Sequence, residues 1–237
     1  MTMRRLTAPL LMLAAAVTGA EGAQLVVPDA APWAQVAPDG TRSGIAVEMA
    51  RTLSGRAGID LDLRLAPIGR LYALLEKGVG QYGLVPWPGP ETGRVEKLGG
   101  LLDLPLMAVA RDDAPPPTIE RLRRAGRIGV LRGAVPMFST GIAAGLPFEE
   151  VPDALAGLKM VGAGRLDAMV ISSFVLDRLT ERQRADNHLG RPEWLEMAHI
   201  ALVAAQDAAT TEEGRTLEKA WDAARQDGTL LGILAGR

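Results

Sequence analysis

The chain has 237 residues, 48% of them hydrophobic and 23% charged, with a formal net charge of −2 and no cysteine. That length suits one or two compact domains. The near-neutral balance, with both signs interspersed, argues against a nucleic-acid partner. The lack of cysteine excludes disulfides, thiolate metal sites and lipid attachment through a thiol, so stability must come from the apolar core.

The first residues stand apart. Arg4 and Arg5 precede an apolar run, Leu6 to Val17, and Thr18-Gly19-Ala20 follows as a small-residue cleavage site, with Ala23 as a second candidate. This is the pattern of a secretory signal peptide, expected over residues 1–23. The run is shorter than the roughly 20 apolar residues a spanning helix needs. The expectation is a monomer released into the periplasm.

Residues 24–28 (QLVVP) read as a short buried strand. Ala31-Pro32-Trp33 follows, then Asp39-Gly40, a hairpin-type turn. Ile45, Val47, Met49, Ala50 and Leu53 form a helical stripe, with Gly55 or Gly58 as its stop. Residues 61–65 alternate apolar and charged side chains and read as a strand. Leu71, Tyr72, Leu74 and Leu75 mark a second helix ending at Gly78, and residues 82–87 are the next strand. This β-α-β-α-β order predicts a parallel sheet with right-handed crossovers.

Residues 101–111 (LLDLPLMAVAR) form a long apolar run interrupted by Pro105. A second α/β series follows: helix 119–125, strand 128–131, a helix opened by Gly133-Ala134-Val135-Pro136, strand 148–151, a helix capped by Asp153, strand 167–171 and helix 174–184. A last apolar strand spans residues 195–205. Thr210 and Glu213 then form a capping-box pattern before a helix carrying Leu217, Ala220, Trp221 and Ala224. Gly228 ends that helix, and residues 230–234 form a short final turn of helix. Two long apolar runs, near 101–111 and 195–205, are what a two-lobed chain needs to cross over and return.

Several short motifs occur in a recognisable order. They are Pro32-Trp33, Asp39-Gly40, Gly44-Ile45-Ala46-Val47-Glu48, Arg70-Leu71 through Gly78, Pro90-Glu91-Thr92-Gly93-Arg94, Gly129-Val130-Leu131-Arg132-Gly133, Ala163-Gly164-Arg165-Leu166-Asp167-Ala168 and Asp227-Gly228-Thr229-Leu230. In this order the chain resembles the type II periplasmic solute-binding proteins, in the polar amino-acid-type branch (family 3) that serves ABC transporters. The resemblance covers nearly all of the chain after residue 23. It implies an α/β, two-lobed periplasmic-binding-protein type II (venus flytrap) fold with two crossing strands, in which residues 24–110 and 199–237 form lobe 1 and residues 111–198 form lobe 2. It also implies capture of a small polar organic solute, amino-acid-like or an organic acid, by lobe closure, with an ABC permease in the inner membrane as the partner. No cofactor and no catalysis are implied.

The same resemblance nominates the site. Arg94 takes the place of the family's arginine that holds a ligand carboxylate, a task suited to a planar guanidinium, although Thr92-Gly93 lengthens the turn here. Trp33 and Trp87 are candidate aromatic walls. Arg70, ahead of a helix, stands where the family places a basic or aromatic residue facing the cleft. Arg132 with the Gly133 turn could receive an anion on backbone N–H groups. Ser172 stands where the family commonly has an aspartate that pairs with the ligand's ammonium. A serine can hydrogen-bond but cannot balance a positive charge, which favours a neutral or anionic solute. His188 and His199 lack metal-ligand spacing. Two other readings stay open. One is a cyclohexadienyl-dehydratase-like enzyme on the same fold, with Glu48, Glu91 or a histidine as acid or base. The other is a sensing or protein-interaction module that has lost transport function.

Overall fold

The computed structural model describes residues 22–87, 95–138 and 141–236. The expected signal peptide and Arg94 therefore lie outside the described residues, apart from Gly22 and Ala23, and Ala23 is the first residue of a strand.

The first α/β series folds as its patterning dictates. Strand β1 (Ala23–Pro28) leads to a small hairpin of β2 (Gln35–Val36) and β3 (Arg42–Ser43), whose turn is tied by the Thr41 N–H donating to Asp39 Oδ1 at 2.9 Å. Helix α1 (Ile45–Ala57) buries Ile45, Ala46, Val47, Met49, Ala50 and Leu53. Strand β4 (Leu61–Ala66), a 3-10 turn (Ile68–Arg70), α2 (Leu71–Glu76) and β5 (Tyr82–Pro86) follow. β1 pairs in parallel with both β4 and β5, as the β-α-β-α-β order requires.

Strand β6 (Val95–Val109) then crosses the molecule, longer than the run read from residue 101. Pro105 is accommodated because the neighbour on its second side joins only from Leu106, so no ladder bond is lost there. The second series comprises α3 (Ile119–Leu122), β7 (Ile128–Leu131), a 3-10 turn (Val135–Phe138), β8 (Phe148–Val151), α4 (Ala154–Gly162), β9 (Ala168–Ser172), α5 (Ser173–Asp177) and α6 (Glu181–Asp186). Strand β10 (Glu193–Ala205) returns, and α7 (Gln206–Ala209), α8 (Glu212–Gln226) and α9 (Thr229–Ala235) close the chain.

Four local expectations change. The helix expected over 119–125 shrinks to one turn. That expected over 174–184 breaks in two because Thr180 starts a new capping box with Gln183. The helix expected from Gly133 is a single 3-10 turn. The cap of α8 is Thr211, whose hydroxyl accepts from the Gly214 N–H at 2.9 Å, rather than Thr210 with Glu213.

The sheet runs β4-β1-β5-β10-β6-β9-β7-β8. Its outer triplets, β4-β1-β5 and β9-β7-β8, are parallel. The central pair, β10 and β6, is antiparallel and joins them. Each lobe carries helices on the faces of its triplet. Leu71 and Leu75 of α2 pack with Val26, Val85 and Val203 on one face of the first lobe, while α1, α8 and α9 share the larger core that holds Leu25, Leu53, Leu217 and Trp221. α4 and α5 cover the second lobe with Leu158, Val161, Val175 and Leu176. Each large apolar side chain so buried contributes roughly 1.5–3 kcal/mol.

Helix α8 is fixed to the crossing strands by polar contacts as well. The register of β6 against β10 slips between Ile200 and Leu202, leaving a bulge at residues 99–101. Its amides would otherwise be unpaired. The Gly99 N–H donates to Glu218 Oε1 and the Gly100 N–H to Asp222 Oδ1, while Trp221 Nε1 donates to the Gly100 carbonyl at 2.7 Å.

Candidate functional site

In open α/β sheets a ligand crevice lies beyond the carboxyl ends of the strands. Here β1 ends at Pro28, β5 at Pro86, β7 at Leu131 and β9 at Ser172, and all four residues line one cavity between the lobes. Leu104, Leu106 and Ile200 of the crossing strands form its floor, and Trp33, Ile68, Phe138 and Val175 complete its walls. The enclosed space is about 50 Å³, room for a few water molecules. Among the described residues, none of those in the lining carries a titratable side chain.

Trp33 is held in this wall by the start of α1. The Pro32 and Trp33 carbonyls accept from the Ile45 and Ala46 amides at 3.1 and 2.8 Å, which satisfies two donors at the helix end. The approach is so close that a methyl group on Gly44 would sit 2.5 Å from the Trp33 oxygen. Gly44 also has φ +123°, outside the range of ordinary side chains, so the glycine is needed on both counts. Trp33 is 7% exposed, a wall residue rather than a surface one.

Ser172 ends β9 immediately before α5 and is buried, yet its Oγ has no hydrogen-bond partner. Beside Pro86, the Tyr72 hydroxyl donates to the Pro86 carbonyl at 2.8 Å. Burial raises the Tyr72 phenol well above its ordinary value, so it remains a protonated donor across the working pH range.

The other nominated residues are arranged around this centre rather than in it. Gly69 and Gly133 meet across the lobes: a methyl group on Gly133, at φ +80°, would lie 2.4 Å from the Gly69 nitrogen. Their chain neighbours Arg70 and Arg132, both exposed, are thereby brought to one rim. The Gly133 N–H donates to Glu150 Oε1 at 2.8 Å and the Ala134 N–H to the Leu131 carbonyl at 2.9 Å, so the chain's own acceptors already engage the amides expected to receive an anion. Trp87 is half-buried beside the Val26, Leu71 and Val85 cluster, with its backbone N–H donating to the His199 carbonyl at 2.9 Å, and does not line the cavity. Glu48 is exposed on α1. His199 Nδ1 lies 3.0 Å from Asp103 Oδ1 on the crossing strands, and His188 is exposed in a loop.

Sequence reasoning missed Pro28, Ile68, Phe138 and the floor leucines. Pro28 and Pro86 could have been found, since each closes a strand of the parallel triplet on the crevice side. Leu104, Leu106 and Ile200 could not, because their alternation reads equally well as core. Among the described residues there is no cluster of side chains suited to a metal ion, and no helix is long and apolar enough to cross a membrane.

No protein-family model and no curated protein matches the chain. Solved structures do. A histidine kinase sensor domain described as similar to periplasmic binding proteins aligns over 90% of this chain and 95% of its own, with a TM-score of 0.70 and 18% identity. The VFT2 domain of BvgS from Bordetella pertussis aligns over 90% and 92%, with a TM-score of 0.70 and 18% identity. The arginine-, lysine-, histidine-binding protein ArtJ from Geobacillus stearothermophilus aligns over 89% and 93%, with a TM-score of 0.67 and 15% identity. The chain therefore has the two-lobed venus-flytrap fold of the periplasmic binding proteins, with β6 and β10 as its crossing strands.

Proposed function

We propose that the protein is an exported solute-binding module that holds a small, neutral, mainly apolar organic molecule between its lobes. In this reading lobe 1 comprises residues 24–110 and 199–237, and lobe 2 comprises residues 111–198. The carrying observation is the lining of the interlobe cavity: apolar side chains from both lobes, with one buried hydroxyl, Ser172 Oγ, left without a partner. An unpaired buried polar group costs about 1–3 kcal/mol. A ligand that offers Ser172 a hydrogen bond recovers that cost only when bound, which selects for one polar group on an apolar body.

Among the described residues the lining offers a zwitterion no partner for either charge, and offers the dehydratase-like reading no general acid or base; Arg94 and Glu91 lie outside the described residues. Binding requires the lobes or side chains to yield, because the present space is smaller than any such solute. A ligand that favours the engaged form shifts the population toward it. Delivery to an ABC-type permease of the inner membrane is the transport version of this function, and the likeness to the substrate-binding protein of an amino acid ABC transporter supports it.

A second reading, a sensing module without transport, is favoured by one observation: the lobes already touch through Gly69 and Gly133 around a very small space. The likeness to a histidine kinase sensor domain agrees with it.

The test is a thermal-shift screen against neutral aromatics, lactones, amides, organic acids and free amino acids. A ligand that binds only the folded state raises the melting temperature by mass action. The expected result is a shift with neutral apolar-bodied compounds that weakens about tenfold in Ser172→Ala. A larger shift with free amino acids would overturn the ligand class. No shift with any compound, from a folded sample, would move the assignment to the sensing module.

A further inference from the structure

A concavity larger than the interlobe cavity lies elsewhere in the described residues. It lies at the opposite end of the second lobe, where β7 and β9 begin, and encloses about 580 Å³. That is within the range of small-molecule sites. Three arginines from two segments line it: Arg111 at the end of the crossing strand, and Arg121 and Arg124 on and just after α3. The concentration is unusual for this chain. Its net charge is −2, yet residues 119–132 hold five arginines against one glutamate.

Arg121 and Arg124 are exposed, and neither makes a side-chain hydrogen bond among the described residues, although the charge of Arg124 also acts on Glu120. Arg111 is oriented by Asp113, which takes its Nε at 2.9 Å and its Nη2, leaving Nη1 beside Gly164. The one carboxylate in the lining, Asp167, is already occupied on Oδ2 by the Gly126 and Arg127 amides, both at 2.9 Å. The remaining wall is apolar and stiff, built from Pro115, Pro117, Leu122 and Ala125.

We infer that this groove is a second binding site, for a small organic anion bearing carboxylate or phosphate groups. The guanidiniums of Arg121 and Arg124 receive the oxyanions as planar forks, Arg111 adds its remaining Nη1, and the proline-lined wall receives the carbon body. The site is independent of the interlobe cavity: it uses the amino ends of β7 and β9, whereas the cavity uses their carboxyl ends.

The test is titration of the purified protein with citrate, glycerol 2-phosphate and inorganic phosphate, followed by amide shifts of Gly126 and Gly164. Parallel sedimentation with phosphatidylglycerol vesicles asks whether a lipid surface is the true source of phosphate. The expected result is saturable shifts at these two glycines with citrate or glycerol 2-phosphate, weakened about tenfold or more in Arg121→Ala/Arg124→Ala. That variant alters only exposed side chains, so the rest of its spectrum stays in place. Four outcomes would overturn the inference: no shifts, shifts that survive the double substitution, inorganic phosphate binding as tightly as the organic anions, or binding to vesicles alone.

Discussion

Asp227 joins two distant points of the first lobe. Its Oδ1 accepts from the Thr229 hydroxyl and N–H at 2.6 and 3.0 Å, and its Oδ2 pairs with Arg56 Nη1 at 2.7 Å. The Thr229 hydroxyl first, and then Arg56, hold the carboxyl at about 2, below the ordinary 3.8. The folded protein therefore binds this proton more weakly than the unfolded chain does. The resulting stabilisation is complete above pH 3.8 and is lost as pH falls through about 2. Asp227→Asn is expected to lower stability above this window and to converge with the parent protein at its acid end. Urea unfolding above and within the window checks this, and a constant difference at all pH values would refute it. The Asp227-Gly228-Thr229 motif is visible in the sequence as a helix boundary. Its link to Arg56 is not, because that contact joins residues far apart in the chain and exists only once α1 and α9 have met. Ser172 is the opposite case. Its departure from a family aspartate was legible and pointed away from a charged ligand, but its burial without a partner depends on how β9 and the crossing strand pack.

At the scale of elements, most strands were legible because β1, β4, β5, β7, β8 and β9 are short and bounded by glycine, proline or charge. The helices were less so. Local capping patterns compete, and tertiary contacts decide between them. The start of α8 shows this: Thr210 and Thr211 are adjacent, and the Thr210–Glu213 spacing fits the capping box, yet the Thr211 hydroxyl takes the Gly214 amide and also donates to the Ala208 carbonyl. α8 is anchored at its far side by Trp221 on the β6 bulge, which sets its rotation and hence which threonine faces inward. Thr211→Ala is expected to cost about 1 kcal/mol of stability, and Thr210→Ala close to nothing. Chemical denaturation of the two variants distinguishes the caps; equal losses would mean the cap is shared.

The molecule as a whole turns on the meeting of Gly69 and Gly133. Gly133 and Gly40 have nearly the same φ, +80° and +83°, but only a methyl group at Gly133 strikes the other lobe; around Gly40 there is open space. Gly133→Ala and Gly40→Ala should therefore share a backbone cost of about 1–2 kcal/mol, and only Gly133→Ala should part the lobes. The expected reading is an increased radius of gyration by small-angle scattering in Gly133→Ala alone. An unchanged profile would mean that the lobes close elsewhere.

The crossing strands also fix a timetable. β5 takes β10 as its neighbour, pairing Tyr82 with Ala204 and Pro86 with Ile200, so its outer edge waits for residues made more than a hundred positions later. The bulge at Gly99 and Gly100 likewise waits for Glu218 and Asp222. The triplet β9-β7-β8, by contrast, is closed by residues 128–172, all of which precede β10. A chain emerging amino end first thus completes its second lobe while its first, begun earliest, still exposes a bare strand edge. The half of the protein that starts the sequence is the half that must be kept from wrong partners longest.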